Sequence, residues 1–203
     1  MAFDDFFVID EKTKKKIKDY GELSTKVNAF FHDYIKGYNI PTAFEHSLQD
    51  GSLKFSPTTE FPVYIKIINT SSSELSRMFA LEKNAPLNVP VFENYLIADS
   101  NYQLNDHHII SFNILPLADF KMMGRIATKV NVILKSFFER RNLLLSEMRC
   151  TFGKCGEKVV LLGQFSPHLI KLHLKDSPEN DFELTTPSSI RKYLEFFQES
   201  VQH

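Results

Sequence analysis

Residues 62–78 read PVYIKIINTSSSELSRM, and the fold turns on how that stretch is parsed. Across Phe61–Asn69, Phe61, Val63, Ile65 and Ile67 fall on one face and Tyr64, Lys66 and Ile68 on the other, the period-two pattern of a strand with one well-buried side. Three serines follow without a glycine, where a phosphate-handling protein often sets a glycine-rich turn. Hydroxyl and backbone hydrogen bonds remain available from Ser71, Ser72 and Ser73, but the loop is poorly equipped to cradle a dianionic phosphate.

Working outward, Val27, Phe30, Phe31, Tyr34 and Ile35 follow helical spacing from Ser24 onward, with Gly37 and Pro41 as the stop. Residues 89–97, VPVFENYLI, predict a second strand. The strongest helix signal covers Leu117 to Arg141, where Phe120, Met123, Ala127, Val130, Ile133, Leu134, Phe137 and Phe138 mark one face. Leu143–Phe152 and Lys158–Phe165 predict a β-hairpin turning through GKCGE, and HLIKLHLK (168–175) a third strand. At the C-terminus, Thr186 and Pro187 open a helix whose apolar face holds Ile190, Tyr193, Leu194, Phe197 and Val201. Strands and helices mix without a βαβ rhythm, which predicts the α+β class.

Composition narrows the function. The chain has 203 residues, 43% hydrophobic and 24% charged, the balance of a globular protein able to build a core. Nineteen Phe and no Trp make the phenyl ring the main bulky filler, which needs no hydrogen-bond partner when buried. A formal net charge of −1 supplies no global field for nucleic acid or an anionic membrane. KTKKKIK (12–18) is read as a solvated, mobile segment, its charge offset by Asp10 and Glu11. No apolar run spans a bilayer and the N-terminus is acidic, so no membrane association is expected and the default location is the cytoplasm. Two cysteines are too few for a disulfide framework.

Cys150, Cys155, His168 and His173 fall at zinc-finger spacings, but HLIKLHL has period two, so His168 and His173 point to opposite faces and no metal site is expected. Adjacent His107 and His108 also diverge and are read as surface polar residues. No nucleophile elbow, dinucleotide fingerprint or Walker sequence occurs. Asp99, Asp106, Glu139, Glu147 and Glu157 have no spacing that compels a metal site.

Several segments, in order, resemble SAICAR synthetase, the phosphoribosylaminoimidazole-succinocarboxamide synthetase of purine biosynthesis. KVNAFFHDYIKGYNIPTAF (26–44) resembles the family's helix ending in GIPT. Residues 62–78 resemble PVEVVVRNxxAGSxxKR, and NVPVFENYLIADS (88–100) the stretch ending in LKND. Arg149 to Asp176, with TFG and QFSPHLIKLHLKD, resembles KLEFG…DEISPDxxRLWD. The similarity spans about residues 20–176.

The resemblance implies a two-lobed α+β fold of mainly antiparallel sheets packed with helices, with a shortened N-terminal lobe over 1–70 and a C-terminal lobe over 71–203. It also implies ATP and Mg²⁺, which activate a carboxylate as an acyl phosphate for condensation with aspartate. Such chemistry needs cations against phosphate and carboxylates on the metal. Here the strand's acid corresponds to Tyr64, the arginine of RN to Ile68, and AGS to Ser72, Ser73 and Glu74. VDFKLEFG corresponds to Ser146–Gly153, with Thr151 in place of the acid before Phe-Gly. The acids of DEISPD correspond to Gly163, Gln164 and His168, and the lysine of LKND to Ile97, while Asp99 keeps its acid. The family's YEGKxK-type hairpin over the ATP phosphates has no counterpart.

Two functions follow as expectations. One is a catalytically degenerate relative with no cofactor and no catalytic residue, a binding module for a small molecule or protein partner, with homo-oligomerisation open. Its candidate ligand-binding residues are Asn69, Ser71, Ser72, Ser73, Arg77, Asp99, Glu147, Arg149 and Lys171. The other is an active ATP- and Mg²⁺-dependent ligase in which Glu147, Arg149 and Asp99 carry a relocated site. A third expectation is an oligomeric scaffold whose cleft Phe side chains fill.

Overall fold

A computed structural model describes residues 6–8, 14–99, 102–163, 165 and 169–176, with positions 188, 191, 192, 195, 196 and 199. The elements run β1 (Phe6–Val8), β2 (Lys14–Lys16), α1 (Tyr20–Lys36), β3 (Phe44–Ser47), β4 (Leu53–Phe55), β5 (Thr59–Thr70), α2 (Ser73–Phe79) and β6 (Pro86–Leu96). There follow β7 (Gln103–Leu104), α3 (Asp106–Ser111), α4 (Leu117–Glu139), β8 (Leu143–Cys155), β9 (Lys158–Leu161) and β10 (Ile170–Leu174). The main sheet has the order β10-β8-β5-β6-β7, with β9 also paired to β8, and β1-β2 and β3-β4 form two-stranded sheets. The paired strands run antiparallel; Thr42 and Leu161 make an isolated parallel bridge. The class is α+β, as the sequence predicts. β5 is bonded on both sides to strands that follow residue 70, β6 and β8, and the expected lobe boundary near residue 70 falls at its end.

The pleat of β5 divides the molecule. Val63, Ile65 and Ile67 are buried in the core cluster with Met148, Cys150 and Phe152 of β8. α4 closes that side with Met123, Ile126, Ala127, Val130, Leu134, Phe137 and Phe138, much of the face that the periodicity predicts, while Phe120 and Ile133 pack at its edge. Pro116 sits at the N-cap of α4, where a missing N–H costs nothing, and Asn142 takes φ 59° in the turn into β8, a left-handed conformation that Asn tolerates.

α1 brings the phenylalanines together. Phe31 meets Phe137 edge-on at 5.4 Å, Phe138 at 5.7 Å and Phe165 at 5.6 Å between ring centres. The helix starts at Tyr20, four residues before the apolar stripe predicts, because its first turns bury Gly21, Ser24 and Asn28 and so lack an apolar signal. Asn28 compensates for its burial by accepting from the Phe165 N–H at 2.7 Å.

The structure corrects four local readings. Lys14–Lys16 form β2 against β1 in place of a mobile segment. The serine loop is largely helical, since α2 begins at Ser73. Strand β8 runs through GKC to Cys155 and turns only at Gly156 and Glu157, with Gly156 at φ 58°. Gly153 is therefore a strand residue, held there because a Cβ would lie 2.7 Å from the Thr59 carbonyl oxygen. His108 closes a capping box with Asn105 at the start of α3, so it has a local structural role. The expected C-terminal helix face (190, 193, 194, 197 and 201) and His168 lie outside the described residues.

Candidate functional site

The face of the sheet away from α4 carries a cleft of about 610 Å³. Alternation on β5 aims Lys66, Ile68 and Thr70 at its floor, and register supplies the neighbours. Lys66 lies opposite Glu93 on β6 and Arg149 on β8, Ile68 opposite Glu147, and Glu147 in turn opposite Lys171 on β10. Ser72, Ser73 and Glu74 at the start of α2 form one wall, and Lys171 and His173 of β10 line the cleft as well.

These side chains form one ion-pair network. Lys66 Nζ lies 3.5 Å from Glu93 Oε2 and 3.6 Å from Glu147 Oε2. Lys171 Nζ reaches the same Glu147 oxygen at 3.2 Å, and Arg149 Nε is 4.0 Å from Glu147 Oε1. The side chains of Lys66, Glu93 and Glu147 are only 22%, 20% and 13% exposed, so solvent screens this group less than a surface pair. Tyr95 donates its hydroxyl to Glu93 Oε2 at 2.8 Å and stacks on Tyr64 at 5.3 Å. Burial, then the hydrogen bond to Glu93, raises the Tyr95 hydroxyl above its usual range, and burial raises Tyr64 despite the opposing pull of Arg149. Both phenols are therefore neutral at physiological pH.

The sequence-predicted residues divide. Glu147 and Lys171 line the cleft, with Arg149 joined to their network, and Ser72 and Ser73 line it from α2. Ser72 also caps that helix, accepting from the Leu75 N–H at 3.2 Å. Asn69 points to the opposite face, where it and Asn131 exchange amide hydrogen bonds. Ser71 is fully buried; its hydroxyl donates to the Glu82 carbonyl and accepts from the Ala85 N–H at 3.1 Å, closing the 71–85 segment. Arg77 and Asp99 are exposed and do not line the cleft. Lys66, Glu93 and Tyr95 escaped the sequence reading, which left Lys66 on the strand's second face without a role. Pairing that face with the alternation of residues 89–97 would have brought Lys66 to Glu93.

The donor set does not fit magnesium. Among the described residues no three of His, Cys, Asp and Glu gather to hold a metal ion. Glu147 and Glu93 both face lysine, and the expected acids are Tyr64 on β5 and Thr151 on β8. Cys150 faces the core, where burial pushes its thiol up to about 12.

No described helix is long and apolar enough to cross a membrane. A sequence profile described as SAICAR synthetase matches residues 1–194. The chain is 30% identical over 166 residues to the phosphoribosylaminoimidazole-succinocarboxamide synthase of Marinobacter nauticus, covering 81% of this chain and 70% of the relative. The corresponding synthase of Clostridium kluyveri is 27% identical over 171 residues, covering 83% and 73%. Among solved structures, SAICAR synthetase from Pyrococcus horikoshii OT3 matches with a TM-score of 0.86 at 22% identity, over 100% of this chain and 92% of that one. A SAICAR synthetase in complex with ADP matches with a TM-score of 0.86 at 21% identity, over 99% and 89%. Profile, relatives and fold agree with the order of motifs, and the chain belongs to the SAICAR synthetase family of purine biosynthesis.

Proposed function

We propose that this member of the family has given up ATP-dependent ligation and acts as a binding module, taking a small, unphosphorylated ligand in the cleft over β5, β6, β8 and β10. The observation that carries this reading is the charge of the cleft. Its lining holds Glu74, Glu93 and Glu147 against Lys66 and Lys171, three carboxylates against two ammonium groups, a formal −1 with histidine neutral. Phosphoryl transfer to a carboxylate moves a group whose negative charge must be met by cations. Ile68 stands where the resemblance expects an arginine, and Glu74 replaces its AGS serine with a like charge. The same reading puts the protein in the cytoplasm, with homo-oligomerisation open.

The competing reading is an active ligase built around Glu147 and Arg149, which keep the charges of the Asp and Lys in the VDFKLEFG pattern. Thermal unfolding with ATP and Mg²⁺ separates the two. A ligand at 100 times its dissociation constant stabilises a protein by about 2.7 kcal/mol, which is several degrees for a chain of this size. The binding-module reading predicts no shift with MgATP up to millimolar concentration. A magnesium-dependent rise of several degrees supports the ligase.

A further inference from the structure

We propose that the Lys66 ammonium is the resident cation of the cleft, standing between Glu93 and Glu147 where a bridging divalent ion would sit, so that the cleft takes its organic ligand without a metal. This deepens the proposed function and rests on it.

The geometry comes from three adjacent strands. β5 is central, and its Lys66 is flanked by β6 with Glu93 and β8 with Glu147, so one side chain from the middle strand reaches carboxylates on both sides. Nζ lies 3.5 Å from Glu93 Oε2 and 3.6 Å from Glu147 Oε2, nearly equidistant. A divalent ion held by these carboxylates would draw their oxygens to roughly 2.0–2.6 Å, and the ammonium already set between them would repel it. Ammonium and metal therefore compete for the same two carboxylates.

Each carboxylate is also held by a second donor. The Tyr95 hydroxyl binds Glu93 Oε2 at 2.8 Å and Lys171 Nζ binds Glu147 Oε2 at 3.2 Å, so each oxygen that faces Lys66 already has a second donor. In the strand pattern PVEVVVRN, the residue at the Lys66 position is valine. This chain thus gains a cation at 66, while the acid expected at 151 is threonine. Lys66, with Lys171 on Glu147, sets two ammonium charges against the two carboxylates, but neither can supply the open coordination positions that a phosphate chain would use.

The test is thermal unfolding of the wild type, Lys66→Met and Lys66→Met/Glu93→Gln, each with EDTA or with 10 mM Mn²⁺, alongside equilibrium Mn²⁺ binding to the folded wild type. Expected results are no Mn²⁺ binding and no shift for the wild type. Lys66→Met should melt at least about 4 °C lower, because partly buried Glu93 loses the ammonium that faces it and Glu147 loses one of its three cations, and Mn²⁺ should restore at least half of the loss. The double variant should melt above Lys66→Met in EDTA and respond less to the metal. If Lys66→Met does not fold in EDTA, its recovery in Mn²⁺ is the same result in stronger form. Stoichiometric Mn²⁺ on the wild type, or a Lys66→Met protein that Mn²⁺ leaves unchanged, overturns the proposal. Ligase turnover would instead overturn the proposed function, whichever way the metal titration falls.

Discussion

The side-chain amides of Asn69 and Asn131 each donate to the other's carbonyl oxygen at 2.8 Å, tying the end of β5 to the middle of α4 inside the core. The pair joins the element that floors the cleft to the helix that backs it. Cutting either residue to alanine leaves the other amide buried with its hydrogen bonds unmade, at a cost of about 2–3 kcal/mol. Urea unfolding should show that loss for Asn69→Ala and for Asn131→Ala. The double variant should lose less than the sum, since the second change removes an amide already orphaned; strict additivity would mean that the bonds do not form.

His32 predicts an acid-sensitive fold. Its ring is buried, held by Thr42 Oγ1 at 2.8 Å and stacked on Phe44 at 5.0 Å. Burial lowers its pKa from 6.5 to about 4, with the Gly163 backbone pulling weakly upward and Lys36 adding a smaller downward push. The neutral ring is the form that the fold accepts. The associated stability is fully present above pH 6.5, declines as pH falls and is gone below about 4, on the order of 3 kcal/mol in all. Unfolding free energies measured from pH 7 to pH 4 should follow that slope, and His32→Gln should flatten it. An unchanged slope in the variant would assign the acid sensitivity to other groups.

Gly153 allows β8 to pass close to β5. An added Cβ would lie 2.7 Å from the Thr59 carbonyl oxygen and 2.9 Å from Leu162 Cδ1, and the backbone oxygen cannot simply swing away. Gly153→Ala should cost about 1–3 kcal/mol, whereas alanine at Gly124, where nothing lies within 4 Å, should be neutral or slightly stabilising. Comparing the two variants by chemical denaturation checks the strand register.

Two neighbouring serines should behave differently. Ser71→Ala removes a buried hydroxyl that bonds both Glu82 and Ala85, and should cost about 1–2 kcal/mol while loosening the wall of the cleft. Ser73→Ala changes an exposed cleft residue and should leave stability within about 0.5 kcal/mol. Equal losses would contradict the division between serines that build the segment and serines that face the cleft.

Much of the architecture was legible because long elements carry their period openly. α4 ends within two residues of its predicted limit, and the alternation of Phe61–Asn69 gave the face that meets the core. The rest was hidden for physical reasons. α2 buries none of its residues, so no apolar stripe announces it, and only the Ser72 cap marks its start. The short strands β1, β2, β3, β4 and β7 are set by pairing across space more than by their own pattern. The site was half visible. Glu147, Arg149 and Lys171 came from motif positions, but Lys66 and Glu93 gain meaning only when β5 and β6 are placed side by side. Asn69 and Ser71 read as ligand donors because their polar groups suit a loop, whereas the fold spends them on Asn131 and on the 71–85 closure.

The central claim is that a family fold with this cleft no longer makes an acyl phosphate. The most direct measurement is product formation by purified protein given ATP, Mg²⁺, aspartate and the carboxylated aminoimidazole ribonucleotide, at high enzyme concentration and long incubation. The account predicts no succinocarboxamide product above that of a Thr151→Ala or Ser73→Ala protein. Turnover that rises with enzyme, needs all three substrates and falls in those variants would contradict it.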